Sequence, residues 1–323
     1  MLRQLLTEQR NPASAAIDTA STEAALRIIN AEDAKVAAAV EREIPAIARA
    51  VDAIAEAVGR GGRWFYIGAG SSGRLGVLDA SEIPPTFGAS PGLVTGIIAG
   101  GEPALSRSSE ASEDDPACGA RDLAGRGFTA RDVLVGLAAS GRTPYVLGAI
   151  AEAQRLGALT VGVSCTPDSQ LARVSAIAIT PLVGPEVIAG STRLKAGTAQ
   201  KLVLNMLSTA VCIRLGYVYG NLMVNVQPAN AKLADRARRI IAAAAEVSPQ
   251  RAGRLLEASG GSVAAAVVMA RKGCTRVEAE HLLRAAGGRV SQALSGPLEP
   301  GRPGPGVRDG GRPRPPYRKR SHG

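Results

Sequence analysis

Apolar and polar positions along this chain follow two rhythms. From about residue 31 to residue 58, Ile44, Ile47, Val51, Ile54 and Val58 recur at steps of three and four, a stripe that predicts a helix. Gly59, Gly61 and Gly62 close it. Ahead of it, residues 1–30 are polar, with turn signals at Asn11-Pro12 and from Asp18 to Thr22, and read as an N-terminal arm. After it the rhythm changes. Short runs rich in β-branched residues, apolar on both faces, occupy 64–67, 93–99, 132–139, 159–165 and 176–182, and each ends in a Gly-, Ser- or Pro-bearing turn. Helical stretches near 73–82, 143–156 and 194–215 lie between or after them. This alternation predicts an α/β fold over residues 31–240, a five-stranded parallel sheet sandwiched by helices. Such sheets bind ligands beyond the carboxyl ends of their strands, where the Gly- and Ser-rich turns fall.

Past residue 245 a different pattern sets in. The stretch from Leu255-Leu256 through Gly260-Gly261 to Val263 recurs 27 residues later, from Leu282-Leu283 through Gly287-Gly288 to Val290. Two copies are too few for a solenoid, so residues 241–295 read as a small C-terminal helical subdomain in which each Gly-Gly breaks one helix and starts another. Residues 296–323 are rich in Gly and Pro without hydrophobic period, and are expected to be disordered.

Charge alters this picture less than its total suggests. Of the formal net charge of +10, half sits in that tail, where seven basic side chains face only Glu299 and Asp309. A solvated tail explains the excess without a nucleic-acid partner, and aromatics at 3% leave no stacking platforms for single strands. A hydrophobic fraction of 46% with so few aromatics means a core of Ala, Val, Ile and Leu. Cys118, Cys165, Cys212 and Cys274 form no CxxC pair, and the histidines are only His281 and His322, so neither a metal site nor a disulfide framework is expected. No apolar run is long enough to span a bilayer, and the N-terminus lacks the apolar core of a signal peptide; a cytoplasmic location is expected.

Chemistry concentrates in two turns. The first strand runs into Gly68-Ala69-Gly70-Ser71-Ser72-Gly73, where glycines permit close backbone approach and Ser72 can cap the next helix while facing a ligand. Gly68, Gly70 and Gly73 also fit GxGxxG, but the second strand ends Ile98-Ala99-Gly100-Gly101 without the acid that would bind a ribose, so no dinucleotide cofactor is expected. The third strand runs into Ser140-Gly141-Arg142-Thr143-Pro144, with Ser140 at a helix start and Thr143 in its first turn, a second anion-binding terminus at the same sheet edge. With no histidine near, acid–base work falls to carboxylates, Lys or Tyr. Glu82 ends the helix from Ser72 just before Pro84-Pro85 stops it, Glu113 sits in an acidic run with Glu110, Asp114 and Asp115, and Glu186 follows Gly184-Pro185.

At these residues the sequence resembles a known family. Leu6-Thr7-Glu8-Gln9-Arg10-Asn11-Pro12, the loop 68–76, Leu78-Asp79-Ala80-Ser81-Glu82-Ile83-Pro84-Pro85-Thr86-Phe87-Gly88, and the stretches 138–144, 184–198 and 223–233 are similar to the N-acetylmuramic acid 6-phosphate etherases, over about residues 5–295. The stretch 184–198 is shared with the glucokinase regulatory protein, which binds phosphosugars without cleaving them. The resemblance implies a sugar isomerase domain, a phosphorylated amino sugar as substrate, and cleavage of its D-lactyl ether without metal or cofactor. It implies Glu82 as the acid that protonates departing lactate and Glu113 as the base at C2. Ser71, Ser72, Gly73, Ser140, Gly141 and Thr143 would hold the phosphate end, and Glu186, Ser191 and Lys195 the sugar. A phosphosugar isomerase and a non-catalytic sugar-phosphate sensor are the alternatives. Glu82 would need its pKa raised above the ordinary value near 4.3, with Ile83 or Phe87 as an apolar wall. Ten residues of straight helix place it roughly 15 Å from Ser72. Either the helix breaks near Gly76, or the 140–143 loop holds the phosphate, or Glu82 serves the site of a second copy in a homodimer, the arrangement the family suggests.

Overall fold

The computed structural model describes residues 6–107 and 112–296; Glu110 and the tail at 297–323, with its expected disorder, lie outside the described residues. Strands β1 (Trp64–Gly68), β2 (Val94–Ile98), β3 (Val133–Leu137), β4 (Leu159–Val163) and β5 (Ile177–Ile179) form one parallel sheet in the order β2-β1-β3-β4-β5. The five apolar runs are these five strands. From β1 the chain steps outward to β2 and then crosses back to β3, so the strand order reverses between β1 and β3 and a crevice opens there. Gly68 pairs with both Ile98 and Leu137, which brings the loops after the first three strands to one level.

Alternation along each strand feeds two cores. Trp64 and Tyr66 point with Val135 and Val161 into one core, while Phe65 and Ile67 point with Leu134 into the other. The first core is covered by α2 (Val36–Glu41), α3 (Ile44–Gly59), α4 (Gly70–Phe87) and α8 (Lys195–Arg214). The second is covered by α5 (Pro116–Gly125), α6 (Pro144–Arg155) and α7 (Gln170–Val174). Burial on both faces is why the strands read as apolar throughout rather than alternating. Among the described residues no helix is long and apolar enough to cross a membrane.

Two helices differ from the sequence expectation. The helix expected over 31–58 is the end of α1 (Thr22–Asp33) followed by α2 and α3, with turns at 34–35 and 42–43. Pro45 has no N–H to extend a ladder out of α2, and it opens α3 from the first turn instead. Conversely, α4 neither breaks near Gly76 nor stops before Pro84-Pro85; it runs unbroken to Phe87. The two prolines remove two ladder bonds. The Gly88 N–H closes the ladder by donating to Pro84 O at 2.9 Å, and Ile83 and Phe87 anchor the last turns in the core. Asn225, from the 223–233 motif, donates its Nδ2 to Phe87 O at 2.8 Å and ties off the helix end.

A short hairpin, β6 (Val218–Tyr219) and β7 (Leu222–Met223), leads into α9 (Ala231–Ala245), α10 (Pro249–Ala258), α11 (Val263–Lys272), α12 (Arg276–Ala285) and α13 (Val290–Ser295). These helices share a third core that includes Val224, Ile241, Val267, Ala279 and Val290. The 27-residue repeat is two helix pairs, α10–α11 and α12–α13. Gly260-Gly261 and Gly287-Gly288, all at positive φ, make the break in each.

Candidate active site

The β1 loop delivers a helix terminus to the crevice. Helix α4 starts at Gly70, two residues earlier than expected, and Ser72 does not cap it. Gly73 is where close approach matters: a Cβ there would lie 2.6 Å from Gly68 O and 2.7 Å from Ile98 Cγ1, so helix and strand can pack only around glycine. Ser72, freed from capping, is buried, with its Oγ 2.8 Å from the side-chain amide of Gln200 on α8. Two turns further along, Ser208 of α8 donates to Asp79 Oδ1 of α4 at 3.2 Å, a second tie between the same helices. Burial raises the Asp79 carboxyl above its ordinary value. Ser71 is half-buried beside Ser72.

The β3 loop delivers the second terminus. Helix α6 starts at Pro144, so Thr143 is its N-cap residue and Ser140 precedes the helix rather than starting it. Thr143 makes no capping bond; its Oγ1 donates instead to Glu113 Oε1 at 3.0 Å. The backbone reinforces the pairing, since the Tyr145 N–H donates to Glu113 O at 3.1 Å. Glu113, which on sequence alone reads as one more surface acid, is thereby fixed at the mouth of the crevice. Gly141 has φ of +64°, and a Cβ there would meet Ser169 Oγ at 2.3 Å. Ser140 Oγ accepts from the Arg142 N–H at 3.3 Å.

A third loop, after β4, backs the second and was not singled out in the sequence. Ser164 and Ser169 share a hydrogen bond at 2.9 Å, Thr166 Oγ1 donates to Ala139 O at 3.2 Å, and the Leu171 N–H donates to Gly141 O at 2.9 Å. The apolar run ending in Ser164-Cys165-Thr166-Pro167 carried the same strand-to-turn signal as the other two. Gln200 was also missed; it lies mid-helix, and no local pattern marks it.

The remaining candidates sit around the N-terminus of α8. Glu186 is buried, and its carboxylate accepts from the Lys195 N–H at 3.0 Å and the Ala196 N–H at 2.9 Å, capping α8 from nine residues upstream. Burial raises its pKa against those two bonds. Lys195, 1% exposed, donates its Nζ to Glu32 Oε2 of α1 at 2.6 Å. Asn11 Nδ2 donates to the same carboxylate oxygen at 2.9 Å and to Pro185 O at 3.0 Å, and Lys35 pairs with the other oxygen. Burial alone would raise the Glu32 carboxyl, but Lys195, Lys35 and Asn11 hold it down at about 2. The 6–12 and 184–198 motifs are thus parts of one network, with Glu186 and Lys195 both engaged by protein groups. Ser191, half-buried, lies in the same loop, where its N–H donates to Ile188 O at 3.0 Å.

Glu82 stands apart. It is exposed on the outer side of α4, on a different face from Ile83 and Phe87, which point into the core and so do not form the expected apolar wall. Leu78, one turn earlier on the same side, is 45% exposed, and Met206 and Ile213 of the neighbouring α8 are also exposed.

Along 293 residues the chain is 54% identical to the N-acetylmuramic acid 6-phosphate etherase of Edwardsiella ictaluri, covering 91% of this chain and 98% of that protein. The chain belongs to the N-acetylmuramic acid 6-phosphate etherase family. The etherase of Aeromonas hydrophila is 53% identical over 291 residues, covering 90% of this chain and 98% of its own. Residues 46–154 match the model of the glucokinase regulatory protein N-terminal SIS domain. That span holds β1 to β3 with Ser72, Glu82, Glu113, Ser140 and Thr143. A phosphoheptose isomerase from Francisella tularensis is similar over 62% of this chain and 99% of its own, at 20% identity and a TM-score of 0.43. Among the described residues no group of three or more His, Cys, Asp or Glu side chains could hold a metal ion.

Proposed function

We propose that this etherase-family chain cleaves the D-lactyl ether of N-acetylmuramic acid 6-phosphate, giving N-acetylglucosamine 6-phosphate and D-lactate. The relationship to etherases along 98% of their length carries this reading, and the geometry supplies a mechanism that two carboxylates can perform. In the open-chain sugar, C2–H is α to the C1 aldehyde and the ether oxygen is on C3. Glu113, oriented by Thr143, takes the C2 proton. The electron pair moves into a C2–C3 double bond as the C3–O bond breaks, and Glu82 gives a proton to the departing lactate oxygen. Glu82, now ionised, takes a proton from water as that water adds to C3, and Glu113 returns a proton to C2. One water is consumed, and no electrons leave the system.

The two serine-bearing termini bound the phosphate: Ser140 at the Gly141 turn on one side, beside Thr143, whose proton is committed to Glu113, and Ser72 with Ser71 at the close approach of Gly73 on the other. At the start of α4 the free N–H groups of the first turn and the helix dipole favour a dianion; at α6, where Pro144 has no N–H and the Tyr145 N–H is taken by Glu113 O, the dipole and the Ser140 hydroxyl remain. Ser191 and the α8 terminus organised by Glu186 and Lys195 bound the sugar.

Glu82 reaches this site from a second copy. The unbroken α4 carries it roughly 15 Å past Ser72, and Leu78 on its own side of α4, with Met206 and Ile213 of α8, are exposed apolar side chains that a partner would cover. A homodimer with shared sites meets both facts, and shields Glu82 from water.

The direct test is incubation with N-acetylmuramic acid 6-phosphate in ¹⁸O-water. D-lactate should appear, with the label at C3 of the sugar and none in the lactate. Label in the lactate would mean attack at the lactyl carbon, and epimerisation at C2 without lactate would mean an isomerase.

A further inference from the structure

We infer that Gln200 is the positioning residue that frees the Ser72 hydroxyl proton for the substrate phosphate, an inference that rests on the reading of Ser72 as a phosphate contact. The observation is a mismatch of donors and acceptors. Ser72 Oγ lies 2.8 Å from Gln200 Oε1, both side chains are buried, and Gln200 Nε2 has no partner among the described residues. In that direction the only serine proton is spent on Gln200, and two amide N–H groups are stranded away from water. A buried donor without a partner costs more than the bond it forgoes.

The two ends of a carboxamide have the same shape, so its direction follows from what each end can bond. Turning the Gln200 amide about its last torsion places Nε2 against Ser72 Oγ. The amide then donates, the serine oxygen accepts, and of the two unpaired N–H groups one is satisfied while its place is taken by an unpaired carbonyl, the more easily tolerated group. The consequence reaches the site. A phosphate dianion offers only acceptors. A serine that donates to Gln200 would present lone pairs to it, whereas a serine that accepts from Gln200 presents its proton. Ser72 sits in the first turn of α4, where backbone N–H groups already face the crevice, so a donating hydroxyl completes an all-donor cradle.

The test measures the affinity of the full chain for N-acetylglucosamine 6-phosphate by titration calorimetry across pH 5–8. Gln200→Glu keeps the shape, but its ionised carboxylate can only accept and so captures the Ser72 proton. It should weaken binding about 10- to 100-fold at pH 8. The loss should shrink as the pH falls and the introduced carboxyl protonates. Combined with Ser72→Ala, it should add nothing to the loss from Ser72→Ala alone. A loss independent of pH, a loss additive with Ser72→Ala, or unchanged affinity overturns the inference. If Gln200→Glu does not fold, Gln200→Met, which can neither donate nor accept comparably, should weaken binding several-fold, again with no effect beyond Ser72→Ala; unchanged affinity or an additive loss there overturns it equally. If Ser72→Ala binds the phosphosugar as the unaltered chain does, the placement of phosphate at Ser72 fails, and the inference falls with it while the etherase assay still stands.

Discussion

The corner formed by Glu113, Thr143 and Ser140 and the outer side of α4 around Glu82 solve opposite problems. At the corner everything arrives within one chain. The β3 loop, the segment before α5 and the β4 loop interlock through side-chain and backbone bonds, so Glu113 is held in place before any substrate appears. On α4 the helix is unbroken and tied to α8 through Ser72 and Asp79, yet among the described residues no hydrogen bond or ion pair orients Glu82. The difference teaches what folding alone positions. It orients one carboxylate; the other it leaves on a stiff rod, where the proposed dimer would set a second copy against it.

The largest effects should fall equally on both regions despite that contrast. Glu113→Gln and Glu82→Gln should each lower kcat by about 10²- to 10⁴-fold, the range for loss of a positioned acid or base. Glu113→Gln should also abolish exchange of solvent deuterium into C2 of N-acetylglucosamine 6-phosphate. A Glu82→Gln enzyme with wild-type kcat would remove α4 from the chemistry and leave the corner alone.

Smaller effects separate the scaffolds behind each region. Glu32→Gln strands the buried Lys195 ammonium at the α8 terminus and should cost about 3–5 kcal/mol in chemical denaturation at pH 7. The pH dependence carries its own sign. The Glu32 carboxyl is depressed in the fold from 4.5 to about 2, so its stabilising contribution is present above pH 4.5 and is lost as the pH falls toward 2. The Glu32→Gln profile should therefore be flatter than wild type across that window. Gly88→Ala perturbs the far end of α4 instead. With φ of +61° and a Cβ position 2.0 Å from Asn225 O, it should cost about 1–3 kcal/mol, read as a fall in Tm. Asn225→Ala, which frees the Phe87 and Gly88 carbonyls, should cost about 1 kcal/mol by the same measurement.

What could be read from the sequence followed the range of the physics involved. The five strands were legible because burial on both faces writes itself into consecutive residues, and the Gly-Gly breaks because positive φ selects glycine locally. The run of α4 through Pro84-Pro85 was not. The local rule against proline holds, but Ile83, Phe87 and Asn225 outweigh it through contacts more than a hundred residues apart in the chain. Ser72 and Thr143 were legible as polar groups at helix starts, yet both forgo capping for partners, Gln200 and Glu113, that lie 128 and 30 residues away. The commitment of Lys195 to Glu32, 163 residues distant, was invisible for the same reason.

The claim that the site is shared can be tested by mixing. Glu82→Gln and Glu113→Gln protomers, each inactive alone, are unfolded together, refolded at equal ratio and assayed for D-lactate release. Shared sites place an intact Glu82 opposite an intact Glu113 in every mixed dimer, and activity should return to about a quarter of wild type for random pairing. A mixture as inactive as its two components would mean that both carboxylates act within one chain, contrary to this account.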